Sequence, residues 1–196
     1  MPGIFTDGKG RGYLAEVDSS NRLNTYSVAT QDEFEANRDG DAYNINTGVI
    51  NLTDAAETPV LYLKNNENND LHIRAIAIGL ATSSNGASNE MIKATVIRNP
   101  TAGTIVSSSV NVDINSNRNY GSNKTLTSDA YKGATGKTMT DGTDHIIFYA
   151  SDFGRLFGTI DEVIPKGSSI GIKLTPPTGN TYLPCYVALI SHLDVK

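Results

Sequence analysis

A chain of 196 residues is long enough to bury a core of its own without a metal or a disulfide, and its single cysteine excludes an internal disulfide. A net charge of −5 makes it a poor candidate for coating nucleic acid. Only 19% of its residues are charged and tryptophan is absent, while Asn, Gly, Ser and Thr are abundant, which points to short strands and polar turns rather than helices.

Residues 1–38 read as an N-terminal arm or hairpin. Residues 12–18 and 23–29 have strand character, and Ser19, Ser20, Asn21 and Arg22 form a turn between them. An isolated hairpin is marginal in water, so this segment must dock on something, with Ile4, Phe5, Tyr13, Leu14 and Val17 as its anchors. Residues 31–37 suit a short helix, and so do residues 151–158, capped by Ser151 or Asp152.

Residues 39–196 read as a β-sandwich of the jelly-roll kind, with room for roughly eight to ten strands at the usual spacing. Leu71 and Ile73 alternate with His72 and Arg74, after which residues 75–80 are apolar on both faces, as if that strand passes beneath a second layer. Val106, Val110, Val112 and Ile114 share one face of an expected strand. Residues 115–144 are polar and read as a long exposed excursion. Residues 145–150 and 185–190 are apolar on both faces, which suits a central strand or a subunit interface. Ile170, Ile172 and Leu174 give a further half-buried strand, and turns at Asn65–Asp70, Asn85, Asn99, Lys166 and Gly179 punctuate the runs.

Sequence patterns with chemical meaning are weak. Gly167, Ser169 and Gly171 fit G-x-S-x-G, but a turn precedes them and a strand follows, the reverse of the strand–turn–helix that a nucleophile needs. Gly136, Lys137 and Thr138 resemble the end of a phosphate loop, yet Tyr131 stands where its first glycine belongs. Gly8, Gly10 and Gly12 precede a strand instead of following one. His72, His145 and His192 are far apart along the chain, and Asp141, Asp144 and His145 read as a solvated loop leading into a strand. Cys185 reads as a small buried hydrophobe. Tyr62, Tyr149 and Tyr186 lie in strand patterns, where packing outweighs a sugar platform. No catalytic set, cofactor or metal site is expected. No stretch is apolar for long enough to span a bilayer as a helix. Residues 1–7 lack a basic region followed by an apolar one, so folding in a cytoplasm is expected.

Five stretches together resemble tailed-bacteriophage virion proteins: residues 12–23, with a glycine, a short A-x-V-D strand and a turn to a leucine; then 42–52, 59–66, 71–78 and 164–174. The likeness covers most of the chain in pattern, without a diagnostic motif. It implies a jelly-roll-like capsid decoration (cement) protein, assembled in the host bacterial cytoplasm and carried on the capsid surface. It also implies a homo-oligomer, a trimer by the family's habit, that binds the major capsid protein or another virion protein and does not bind nucleic acid or membrane. The alternative function is a carbohydrate- or receptor-binding module of a tail or head fibre.

Overall fold

The computed structural model describes residues 32–81, 91–150 and 154–194. The anchors Ile4, Phe5, Tyr13, Leu14 and Val17 lie outside the described residues, as do the expected hairpin strands, and the unit that holds the sandwich begins at Asp32.

The first described element is the helix α1 (Asp32–Asp39). Asp32, Glu33 and Glu35 occupy its first turn and Arg38 its last, complementing the helix dipole. Gly40, at φ 79°, ends it in the left-handed conformation that lets Asp41 N–H reach the Ala36 carbonyl at 2.7 Å. Ala36 is fully buried, and Glu33 pairs with Arg118 at 2.6 Å.

Twelve strands follow: β1 (Ala42–Asn46), β2 (Ile50–Leu52), β3 (Thr58–Lys64), β4 (Leu71–Leu80), β5 (Ile92–Arg98), β6 (Val110–Asn111), β7 (Ile114–Asn117), β8 (Asp129–Lys132), β9 (Thr143–Ala150), β10 (Gly154–Ile164), β11 (Ser169–Thr175) and β12 (Leu183–Leu193). A four-residue helix, α2 (Thr104–Ser107), lies between β5 and β6. One sheet runs β10-β4-β12-β1-β7, with β2 also on β12, and the other runs β6-β8-β3-β11-β5-β9. All pairings among the described strands are antiparallel.

The pairing of the eight longest strands defines the topology. The first pairs with the last (β1 with β12), the second with the seventh (β3 with β11), the third with the sixth (β4 with β10) and the fourth with the fifth (β5 with β9). Two further ladders, β12 with β4 and β11 with β5, join these ribbons into sheets. This is a long hairpin rolled up on itself, the jelly-roll arrangement. Alternation places Ile45, Leu61, Leu63, Ile73, Ile78, Val96, Ile172, Val187 and Leu189 in one core between the sheets.

Local expectations met tertiary packing at several points. The strand expected over residues 106–114 is broken: α2 takes its start and only β6 and β7 remain extended. Ile105 is fully buried with Tyr62, Ile97 and Met139 on the outer face of the second sheet, and reciprocal Thr104–Thr138 hydrogen bonds of 2.9 and 3.0 Å fasten it there. The second expected helix is not formed, because Gly154–Gly158 belong to β10 and its ladder with β4. The stretch at 115–144 sends Leu126 and Ala130 into the main core and Met139 into the smaller cluster.

β4 lies centrally in its sheet, and Ala75, Ala77 and Gly79 face away from the core. Tyr186 lies over Gly79 so closely that any β-carbon there would enter the ring. Asn65, fully buried, joins three segments at one end of the sandwich. Its Nδ2 donates to the carbonyls of Asn69 (2.9 Å) and Ile164 (2.8 Å), and its Oδ1 accepts from Glu67 N–H (2.9 Å). Replacing Asn65 by Leu strands two carbonyls and an N–H, and is expected to lower the unfolding free energy by about 3 kcal/mol in urea titrations. Gly79→Ala is expected to lower the melting temperature by displacing Tyr186.

Candidate functional site

The two flanks of the sandwich differ in how they treat their edges. On one flank β7 pairs with β1 and β8 pairs with β3, so the edges of both main sheets are covered. Asparagines hold this cover by imitating backbone: Asn117 Nδ2 donates to Gly40 O (2.7 Å), Asn119 Nδ2 to Arg38 O (2.7 Å) and Asn115 Nδ2 to Leu126 O (3.2 Å). The strands left outermost there have four and two residues, and short edges offer little to a partner.

On the other flank the outermost strands are β9, of eight residues, and β10, of eleven, with no further described strand beside either. Each is divided by a bulge. In β9, Ile146 pairs with Val96 and Asp144 with Ile97, so His145 is the extra residue. In β10, the register with β4 shifts between Thr159 and Glu162, and Ile160 and Asp161 stand against Arg74 alone.

The bulged halves carry His145, Asp161 and Glu162 together with the exposed Val163, whereas the regular halves carry three exposed apolar groups. Ile147 and Tyr149 of β9 are 45% and 60% exposed and Phe157 of β10 is 54% exposed, while their neighbours Ile146, Phe148, Leu156 and Ile160 pack on the core. Arg155 lies 5.7 Å from the Phe157 ring centroid. Each regular half therefore combines backbone that no described strand pairs with large apolar side chains, the kind of surface to which another strand or sheet edge adds. Of the two places expected for residues 145–150, the middle of a sheet or a subunit interface, the first is not what the described strands show, since β9 is outermost among them. Residues 185–190, within β12, are central.

Between the bulged halves lies a cleft of about 390 Å³. His145 Nε2 stands 2.9 Å from Glu162 Oε1, joining the edges of the two sheets. Asp161 pairs with Arg74, which also approaches Glu33 at 3.7 Å. Asn99 (φ 50°) and Asp161 (φ 47°) are the only non-glycine residues with positive φ among those described, and both line this cleft.

A second cluster lies where β4 meets β12. The His72 and His192 rings stack with centroids 5.0 Å apart, opposed in register, although 120 positions separate them along the chain. His72 Nε2 is 2.9 Å from Asp194 Oδ1, and His192 Nδ1 is buried without a partner among the described residues. Burial, and next the neighbouring His72, hold the His192 pKa below its ordinary 6.5, while Glu33, Asp194 and Asp32 oppose the shift.

The other sequence candidates have structural places. Ser169 is buried and its hydroxyl donates to Pro100 O at 2.6 Å, so it is not a presented nucleophile. Lys137 is directed at the carbonyls of Thr104 in α2 and of Ser108 just after it. Asp141 accepts from the Thr101 hydroxyl and from the Thr101 and Ala102 N–H groups, both at 2.8 Å, and these bonds, the hydroxyl's first, hold its pKa low. Burial pushes the Cys185 thiol up to about 12, away from thiolate chemistry. Tyr62 stacks on Tyr131 at 5.9 Å, leaving Tyr149 as the exposed member of the three candidate tyrosines. No group of three or more potential metal ligands exists among the described residues.

No protein-family model matches the chain, and no curated protein matches it in sequence.

The depressed His192 pKa has a sign. Between 6.5 and its folded value the unfolded chain holds a proton that the folded chain does not, so this contribution is intact above pH 6.5 and is lost as the pH falls below it. The melting temperature of the wild type is expected to fall more steeply below pH 6.5 than that of His192→Phe, which keeps a stacked ring and does not titrate.

Proposed function

We propose that the protein is a non-enzymatic structural component of a tailed-phage virion, a capsid decoration (cement) protein that self-associates along the β9–β10 flank and binds the capsid lattice. The observation that carries this reading is the coincidence of bulge-free edge, unpaired among the described strands, with Ile147, Tyr149 and Phe157. A monomeric protein normally blunts such edges with bulges or charge, and here the bulges lie only in the other halves, with Arg155 the one charged side chain of the regular ones. The resemblance of the chain to phage virion proteins supports the same reading, as does a rigid sandwich rolled into one unit.

In this reading the flank joins copies of the chain, as a trimer, and the part of the 1–38 segment that precedes α1 forms an arm that reaches the major capsid protein or another virion protein through Ile4, Phe5, Tyr13, Leu14 and Val17, whereas residues 32–38 belong to the sandwich unit. Edge addition supplies main-chain hydrogen bonds without demanding particular side chains. Burying three half-exposed apolar side chains adds about 1 kcal/mol each. Arms projecting from one oligomer onto a repeating lattice turn weak contacts into strong attachment.

Two variants separate the parts of this function. The triple variant Ile147→Asp, Tyr149→Asp, Phe157→Asp is expected to keep the wild-type circular dichroism and to run as a monomer in light scattering, where the wild type is oligomeric. Deletion of residues 1–30 is expected to leave the oligomer intact and to weaken binding to particles at least tenfold. A monomeric wild type would overturn self-association, and undiminished particle binding by the truncated chain would overturn the arm.

A further inference from the structure

The cleft between the two bulges lies outside the regular edge assigned to self-association, and its chemistry is different. We propose that it binds the ring of a neutral saccharide.

The construction of the site is local. A bulge re-aims the side chains around it, and two bulges face each other here, one on each sheet. They bring His145 and Glu162 together across the opening. Backbone in the left-handed region is uncommon away from glycine and concentrates at ligand sites, and both described instances, Asn99 and Asp161, line this cleft. A volume of about 390 Å³ is that of a small-ligand pocket.

The polar inventory selects the ligand. Arg98 lines the cleft and has no acidic partner among the described residues, so its guanidinium is available as a donor. Asp161 meets Arg74 through Oδ1, and Glu162 meets His145 through Oε1, which leaves one oxygen of each carboxylate as an acceptor. Ser168 adds a hydroxyl, while Ile164 and Pro165 supply an apolar wall. An anion would face two carboxylates, and a cation would compete with Arg74 and His145 for acids already paired. An apolar ligand would strand the charged groups. A sugar hydroxyl donates and accepts at once, which matches a guanidinium beside carboxylates, and the C–H face of the ring suits the apolar wall.

The test is a ¹⁵N-correlation NMR titration of the full chain with the methyl glycosides of glucose, galactose, mannose and N-acetylglucosamine, in parallel with glucuronate, inorganic phosphate and alanine. At least one neutral glycoside is expected to shift the amides of Arg98, Asn99, His145 and residues 161–165 saturably at millimolar concentration. Arg98→Ala and the near-isosteric Glu162→Gln are each expected to raise the apparent Kd at least tenfold while keeping the wild-type melting temperature and oligomeric mass. Shifts from glucuronate, phosphate or alanine alone would overturn the proposal. So would no saturable shift from any probe, or binding unchanged in both variants. Loss of sugar binding with self-association retained tells failure at the cleft from failure at the flank.

Discussion

Every strand presents a row of N–H and C=O groups that must find partners, and this molecule is organised by where those partners come from. Rolling a long hairpin satisfies the inner edges: first strand with last, second with seventh, third with sixth, fourth with fifth. The roll leaves four outer edges, on β1, β3, β9 and β10. Two are covered from within the chain by β7 and β8, in a segment whose asparagines supply the remaining hydrogen bonds. The other two are covered by no described strand.

The asymmetry between flanks, and again between the halves of β9 and β10, gives the proposed role its physical basis. Where the edge is bulged, His145 and Glu162 close the gap between the sheets beside the exposed Val163. Where it is regular it carries Ile147, Tyr149 and Phe157. One stretch of edge is thus interrupted while the adjacent stretch is regular, and the proposed self-association uses the second. Stiffness comes from the same architecture, since Asn65 ties the β3–β4 turn to the end of β10 beside the bulged half.

Much of the fold was legible because a sandwich strand with one wet face prints its alternation in the sequence. The inward positions Ile170, Ile172 and Leu174 read correctly, as did the central strand at residues 185–190, whereas the face of β11 expected to be half-solvated is closed at Ser169 and Gly171 by Pro100 and Met139. The failures have separate physical causes. Residues 106–114 alternate like a strand, but burying Ile105 beneath the Thr104–Thr138 pair favours a turn of helix at their start. Residues 115–144 look like unstructured loop because their order rests on Asn side chains bonding distant carbonyls, which leaves no hydrophobic period to read. The candidate site was half visible: residues 145–150, apolar on both faces, left the middle of a sheet and an interface as alternatives. The cleft and the His72–His192 stack depend on register and on bulges, which no local pattern encodes. The arm anchors lie outside the described residues, and the role given to them rests on the sequence.

The central claim concerns the β9–β10 flank, and hydrogen–deuterium exchange compared between the assembled protein and its dilute or flank-disrupted monomer addresses it directly. Amides in Ile146–Ala150 and Gly154–Thr159 are predicted to become strongly protected on assembly, with the short strands β6 and β7 unchanged. Equal exchange at those amides in both states, with protection arising on another surface, would contradict the account.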